Sequence, residues 1–119
     1  MPHGFFDELH DGKNPPQYKW FDGENWVAGK SGEFISVISP IDNSVVGKIP
    51  EVAPEEMDAA IARAQIAQKA WAKRDLMERS KIVRLAGDWI REHEPYMTTM
   101  LVKEIGKPTV EAKDEIVRS

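Results

Sequence analysis

The chain has 119 residues, a net charge of −4 and no cysteine, with 41% hydrophobic and 30% charged side chains. That balance suits a globular domain rather than a disordered tail. The missing thiols exclude a disulfide framework, a thiolate zinc site and a cysteine nucleophile within this stretch. Residues 1–50 carry four Lys against seven acids and no basic run follows, which excludes nucleic acid and anionic membrane as partners. The amino end lacks the basic start and apolar centre of a signal peptide, and no window holds 18 uninterrupted apolar residues. A cytoplasmic protein is the expectation.

Residues 1–17 read as a flexible arm: three Pro, two Gly and scattered charge, with Phe5, Phe6 and Leu9 as anchors. From 18 to 50 the pattern predicts short strands. Tyr18–Phe21, the Asp22–Gly23 turn and Trp26–Val27 form a hairpin candidate, because glycine takes the positive φ that tight turns demand. Phe34–Ile38 is β-branched and aromatic and ends before Pro40; Val45–Ile49 follows a turn and is closed by Pro50. Strands this short must lie on something else to bury their faces.

From 54 to 119 the period becomes helical. Pro54 suits a helix start, with Glu55, Glu56 and Asp58 near the positive end of the dipole. Met57, Ala60, Ile61, Ala64 and Trp71 fall on one stripe. Asp75-x-x-Glu78 is a capping-box variant opening a second helix that runs to about His93, with Ile82, Leu85, Ala86, Trp89 and Ile90 inward. A third helix spans Pro95 to Ile105 and is stopped by Gly106 and Pro108. Thr109 is placed to cap a fourth, carrying Val110, Ile116 and Val117. The expected fold class is therefore α+β, short strands followed by about four helices. The fourth helical pattern is cut at Ser119 as it establishes itself, which reads as a truncated domain.

The chemistry-bearing motifs are few. Gly29-Lys30-Ser31 lacks the earlier glycine of a phosphate-binding loop, position 24 being Glu, and no GxGxxG occurs. The histidines at 3, 10 and 93 have no ligand spacing, so neither a catalytic constellation nor a metal site is expected. Arg118 leaves two readings open. As a helix-end cation it is a solvated charge or a partner for the last carbonyls; following Ile116–Val117, it could instead point toward the same buried surface.

The order of these pieces resembles the amino-terminal portion of the aldehyde dehydrogenase superfamily. The carriers are Asp22-Gly23-Glu24-x-Trp26, Ser39-Pro40, Pro54-Glu55-Glu56-Met57-Asp58, Ala67-Gln68-Lys69-Ala70-Trp71-Ala72, Leu85-Ala86-Gly87-Asp88 and Leu101 to Pro108. Within it, Lys103-Glu104-Ile105-x-Lys107-Pro108 and Glu115-x-Val117-Arg118-Ser119 look most like the NADP-dependent, non-phosphorylating glyceraldehyde-3-phosphate dehydrogenases.

The resemblance implies that residues 18–119 are the amino-terminal part of a coenzyme-binding α/β domain. The intact oligomeric parent would oxidise glyceraldehyde 3-phosphate to 3-phosphoglycerate, a glycolytic step, with NADP. Its nucleophile, general base and dinucleotide site would lie in sequence this chain does not contain. The segment alone would then bind no cofactor and have no activity, and its partner would be the remainder of that polypeptide. By the same resemblance Arg118 matches an arginine that holds the substrate phosphate, and a monovalent cation would sit near Val37–Ile38 and Glu115. The competing reading is a free-standing interaction module that associates with itself or with a full-length aldehyde dehydrogenase.

Overall fold

The computed structural model describes residue 6 and residues 8–119. It is α+β: β1 (Trp20–Phe21), β2 (Trp26–Val27), β3 (Phe34–Ile38) and β4 (Val45–Pro50) precede α1 (Pro54–Lys73), α2 (Leu76–Glu92), α3 (Glu94–Ile105) and α4 (Thr109–Arg118). The strands form two separate antiparallel pairs, β1–β2 and β3–β4. The chain divides into two compact units, one built from the residues up to Ile38 with Ser44–Gln68, the other from Ser39–Asn43 with Lys69–Ser119.

In the first unit, Trp20 faces Val27 and Phe21 faces Trp26. The turn between them closes because Asp22 Oδ1 accepts the backbone N–H groups of Glu24 and Asn25, each at 2.8 Å. Gly23 supplies the positive φ of 101° that this geometry needs. The hairpin is shorter than the sequence suggests. Tyr18 pairs instead with His10, and its N–H donates to Lys48 O at 2.8 Å.

Phe34 pairs with Pro50 and Val37 with Gly47, and then the register shifts so that Ile38 meets Val45. The strand expected to close before Pro50 therefore includes it. The outer edge of β4 is met by the segment before β1, where Lys48 N–H donates to Pro16 O at 2.8 Å. The Tyr18 ring lies against Gly47 so closely that an added Cβ would sit 2.7 Å from Tyr18 Cε2. The described end of the proposed arm thus carries contacts of its own, including Lys19 N–H to Leu9 O at 2.7 Å. Phe5, the other anchor candidate, lies outside the described residues.

In the second unit, Asp75 caps α2 by accepting the Met77 N–H at 2.8 Å. Gly106 ends α3 at φ 74°, its N–H donating to Val102 O. The same glycine admits the ring of Pro40, whose Cγ would lie 2.9 Å from an added Cβ. Thr109, expected as the cap of α4, is instead its first residue. Pro108 takes the cap position and supplies no side-chain bond, so Ala112 N–H closes the first turn onto Pro108 O.

Burial is sparse. Among the described residues, Ala112 and Pro50 are the buried apolar side chains. The predicted stripes form on their helices, yet much of them faces water: Ile61 is 49% exposed, Leu85 59% and Val110 75%. Hydrophobic stripes left this open lack the surface they are patterned to cover.

Candidate functional site

Arg118 ends α4, where the four-residue spacing from Asp114 brings the two side chains together. Its Nη2 lies 3.4 Å from Asp114 Oδ2, and the side chain is 81% exposed. Both belong to a shallow hollow that Glu111, Glu115 and Ser119 complete. Glu115 is paired with the Lys107 ammonium, and Lys113 lies 3.7 Å from Glu94. The hollow therefore gathers three carboxylates around one guanidinium. A phosphate dianion would be repelled by more charge here than attracts it; a phosphate on Arg118 requires further cations and displacement of Asp114. At the cation site implied near Glu115, that carboxylate is already engaged by the Lys107 ammonium. No group of three or more metal-ligating side chains occurs among the described residues.

The first unit holds a second polar cluster, which sequence reasoning reduced to dipole placement. Glu56 is third in α1, and a glutamate there reaches back to the residue before the helix. Its carboxylate accepts the Ala53 N–H at 3.1 Å and the Lys30 N–H at 3.1 and 3.2 Å, and the residue is 8% exposed. It stitches the loop after β2 to the start of α1. Two turns on, Arg63 donates to Asp22 O through Nε at 2.8 Å and Nη2 at 2.5 Å, with its charge beside the Asp22 carboxylate. The Asn25 and Glu24 N–H groups, helped by Arg63, hold the Asp22 carboxyl below the usual carboxylate range. The signal available in the sequence was Glu at the third helical position after Ala-Pro; nothing local announced Lys30 as its partner.

Neither cluster fits a dinucleotide. A pyrophosphate is seated by a glycine-rich turn at a helix N-terminus. Here all four described helices carry an acid in the first turn: Glu55 and Glu56, Glu78, Glu94, and Glu111. Those carboxylates already occupy the positive ends of the dipoles and repel a phosphate there.

The pattern described as the aldehyde dehydrogenase family matches residues 26–119, which is most of the chain. The chain belongs to the aldehyde dehydrogenase family. It is 32% identical to the NADP-dependent glyceraldehyde-3-phosphate dehydrogenase of Zea mays, across 98% of this chain and 23% of that protein. It is 31% identical to the human mitochondrial methylmalonate-semialdehyde/malonate-semialdehyde dehydrogenase [acylating], across 87% of this chain and 19% of that protein. The NADP-complexed structure of the NADP-dependent glyceraldehyde-3-phosphate dehydrogenase from Bacillus halodurans C-125 superposes with a TM-score of 0.79 at 31% identity, over 84% of this chain and 21% of that one. The short strands and four helices thus match the amino-terminal part of the family's structures. The chain spans less than a quarter of the length of these relatives. NADP dependence stands in the names of several relatives.

No described helix is long and apolar enough to cross a membrane.

Proposed function

We propose that this chain is the amino-terminal segment, 18–119 lying within the coenzyme-binding domain, of a cytoplasmic, oligomeric and NADP-dependent aldehyde dehydrogenase. The proposed substrate is glyceraldehyde 3-phosphate, oxidised to 3-phosphoglycerate. The observation that carries the reading is the pairing of near-complete coverage by the maize enzyme with apolar stripes left open on every helix. Both follow if most of the polypeptide, with its nucleophile and coenzyme site, is contributed by later sequence. The 119 residues contain no cysteine, so the chain alone has no thiol to form a thiohemiacetal with the aldehyde, and no turnover is expected of it.

Arg118 is the proposed phosphate contact, its guanidinium released from Asp114 when further cations surround the substrate. A planar fork that never loses its charge suits phosphate oxygens. In the complete enzyme, Arg118→Ala should lower kcat/KM for the phosphorylated aldehyde roughly 10- to 100-fold, the range of one hydrogen bond to a charged group. Unphosphorylated glyceraldehyde should be nearly unaffected. Equal losses on both substrates would remove Arg118 from the phosphate site.

A further inference from the structure

We infer that Asp114 is a specificity-determining residue: its carboxylate competes with a substrate phosphate for Arg118 and so holds down the preference for phosphorylated over plain aldehydes. The inference rests on the reading of Arg118 given above and adds the group that opposes that contact.

The pairing is a property of α4 itself. Residues four apart on a helix lie one above the other on the same face, which brings positions 114 and 118 together. The order also suits the dipole, because Arg118 falls in the last turn of α4. Arg118 Nη2 lies 3.4 Å from Asp114 Oδ2, and both side chains are exposed. The contact needs no residue outside the helix, whatever sequence follows.

Two carboxylates are within reach of Arg118 by spacing, Asp114 four residues back and Glu115 three. Glu115 is engaged by the Lys107 ammonium, which comes from the turn before α4. Lys107 thereby takes Glu115 out of the competition and leaves Asp114 as the acid paired with Arg118 among the described residues. Glu111 lines the same hollow but sits about 10 Å further back along the axis.

A guanidinium presents a planar fork of donors to the oxygens it binds. Donors turned to Asp114 are not turned to a phosphate, so binding a phosphate exchanges one partner for the other. An exposed pair of this kind is weak enough to be displaced, and breaking it lowers affinity about 2- to 5-fold. A substrate without a phosphate does not call on Arg118 and avoids that loss. Asp114 thus acts through Arg118, as a positioning residue, and its effect is confined to phosphorylated substrates.

The test is the ratio of kcat/KM for glyceraldehyde 3-phosphate over that for glyceraldehyde, measured on the full-length enzyme that contains these residues. Asp114→Asn keeps the shape and removes the charge. It should raise the ratio roughly 2- to 5-fold, through a lower KM for the phosphorylated aldehyde with its kcat kept. Asp114→Glu puts an acid back four residues before Arg118 and should return the ratio to its original value. In an Arg118→Ala background, Asp114→Asn should leave the ratio where Arg118→Ala alone puts it, because nothing is left to compete for. A ratio that Asp114→Asn leaves unchanged, while Arg118→Ala still lowers it, overturns the inference and spares the phosphate reading. So does a gain that appears equally on both substrates, or one that survives in the Arg118→Ala background and marks plain repulsion. Equal losses on both substrates from Arg118→Ala are a different failure: they remove the phosphate reading itself, and the inference falls with it.

Discussion

The two units are fastened by different means. In the first, polar ties reach far along the sequence: Glu56 holds Lys30, Arg63 holds Asp22, Ser31 Oγ donates to Glu51 O at 2.7 Å, and Lys48 meets Pro16. In the second, many ties stay within one helical turn: Arg91 with Asp88, Thr98 with Glu94, Thr99 with Pro95, Arg118 with Asp114. Lys107 with Glu115 and Lys113 with Glu94 are its longer pairs, each with at least one well-exposed partner. Helices held mainly to themselves draw their stability from packing an amphipathic face. The second unit, with Ala112 as its buried apolar side chain, needs a covering surface more than the first does.

That contrast breaks if Glu56 proves dispensable. Glu56→Ala leaves the Lys30 and Ala53 N–H groups without their acceptor, at a cost of about 2–3 kcal/mol. Both amides should then exchange roughly 30- to 150-fold faster. Unchanged rates would mean the first unit is not held by this tie. A smaller effect belongs to Gly106→Ala, which imposes a left-handed conformation on a Cβ and presses it toward Pro40, costing about 1–2 kcal/mol. Faster exchange should be confined to the end of α3. Were it to spread over the first unit as well, the two would not be fastened independently.

The smallest effect is an acid titration. The Gln17 N–H, with the Lys13 N–H and ammonium, lowers the Asp11 carboxyl from 3.8 to about 2. A folded value below the unfolded one means the loop gains from Asp11 above pH 3.8 and loses that gain as pH falls to about 2. The Gln17 amide resonance should shift with a midpoint near 2. A midpoint at the ordinary value would show that the segment before β1 is not tied down.

These ties also mark what the sequence could not disclose. Helix starts at Pro54 and Asp75 and the stop at Gly106 were legible because capping chemistry is local. The β3–β4 pair was legible from composition and the flanking turns. The Glu56–Lys30 and Arg63–Asp22 contacts were not, since each joins residues more than 25 apart and no period links them. Tyr18 was drawn into β1 by its β propensity, yet the glycine at 47 gives its ring a flatter surface to lie on. Stripe positions were read correctly as apolar faces, but a stripe cannot say whether its partner is present in the same 119 residues. Arg118 could be placed at a helix end; that Asp114 would engage it follows from spacing, while its phosphate role rests on family likeness.

The account's central claim is that these residues are one part of a longer dehydrogenase. Its most direct test is the intact mass of the native polypeptide carrying the tryptic peptides of residues 54–107. A species of roughly 50–60 kDa, several domains' worth of chain, is the result the account predicts. A native species of 13.5 kDa would contradict it.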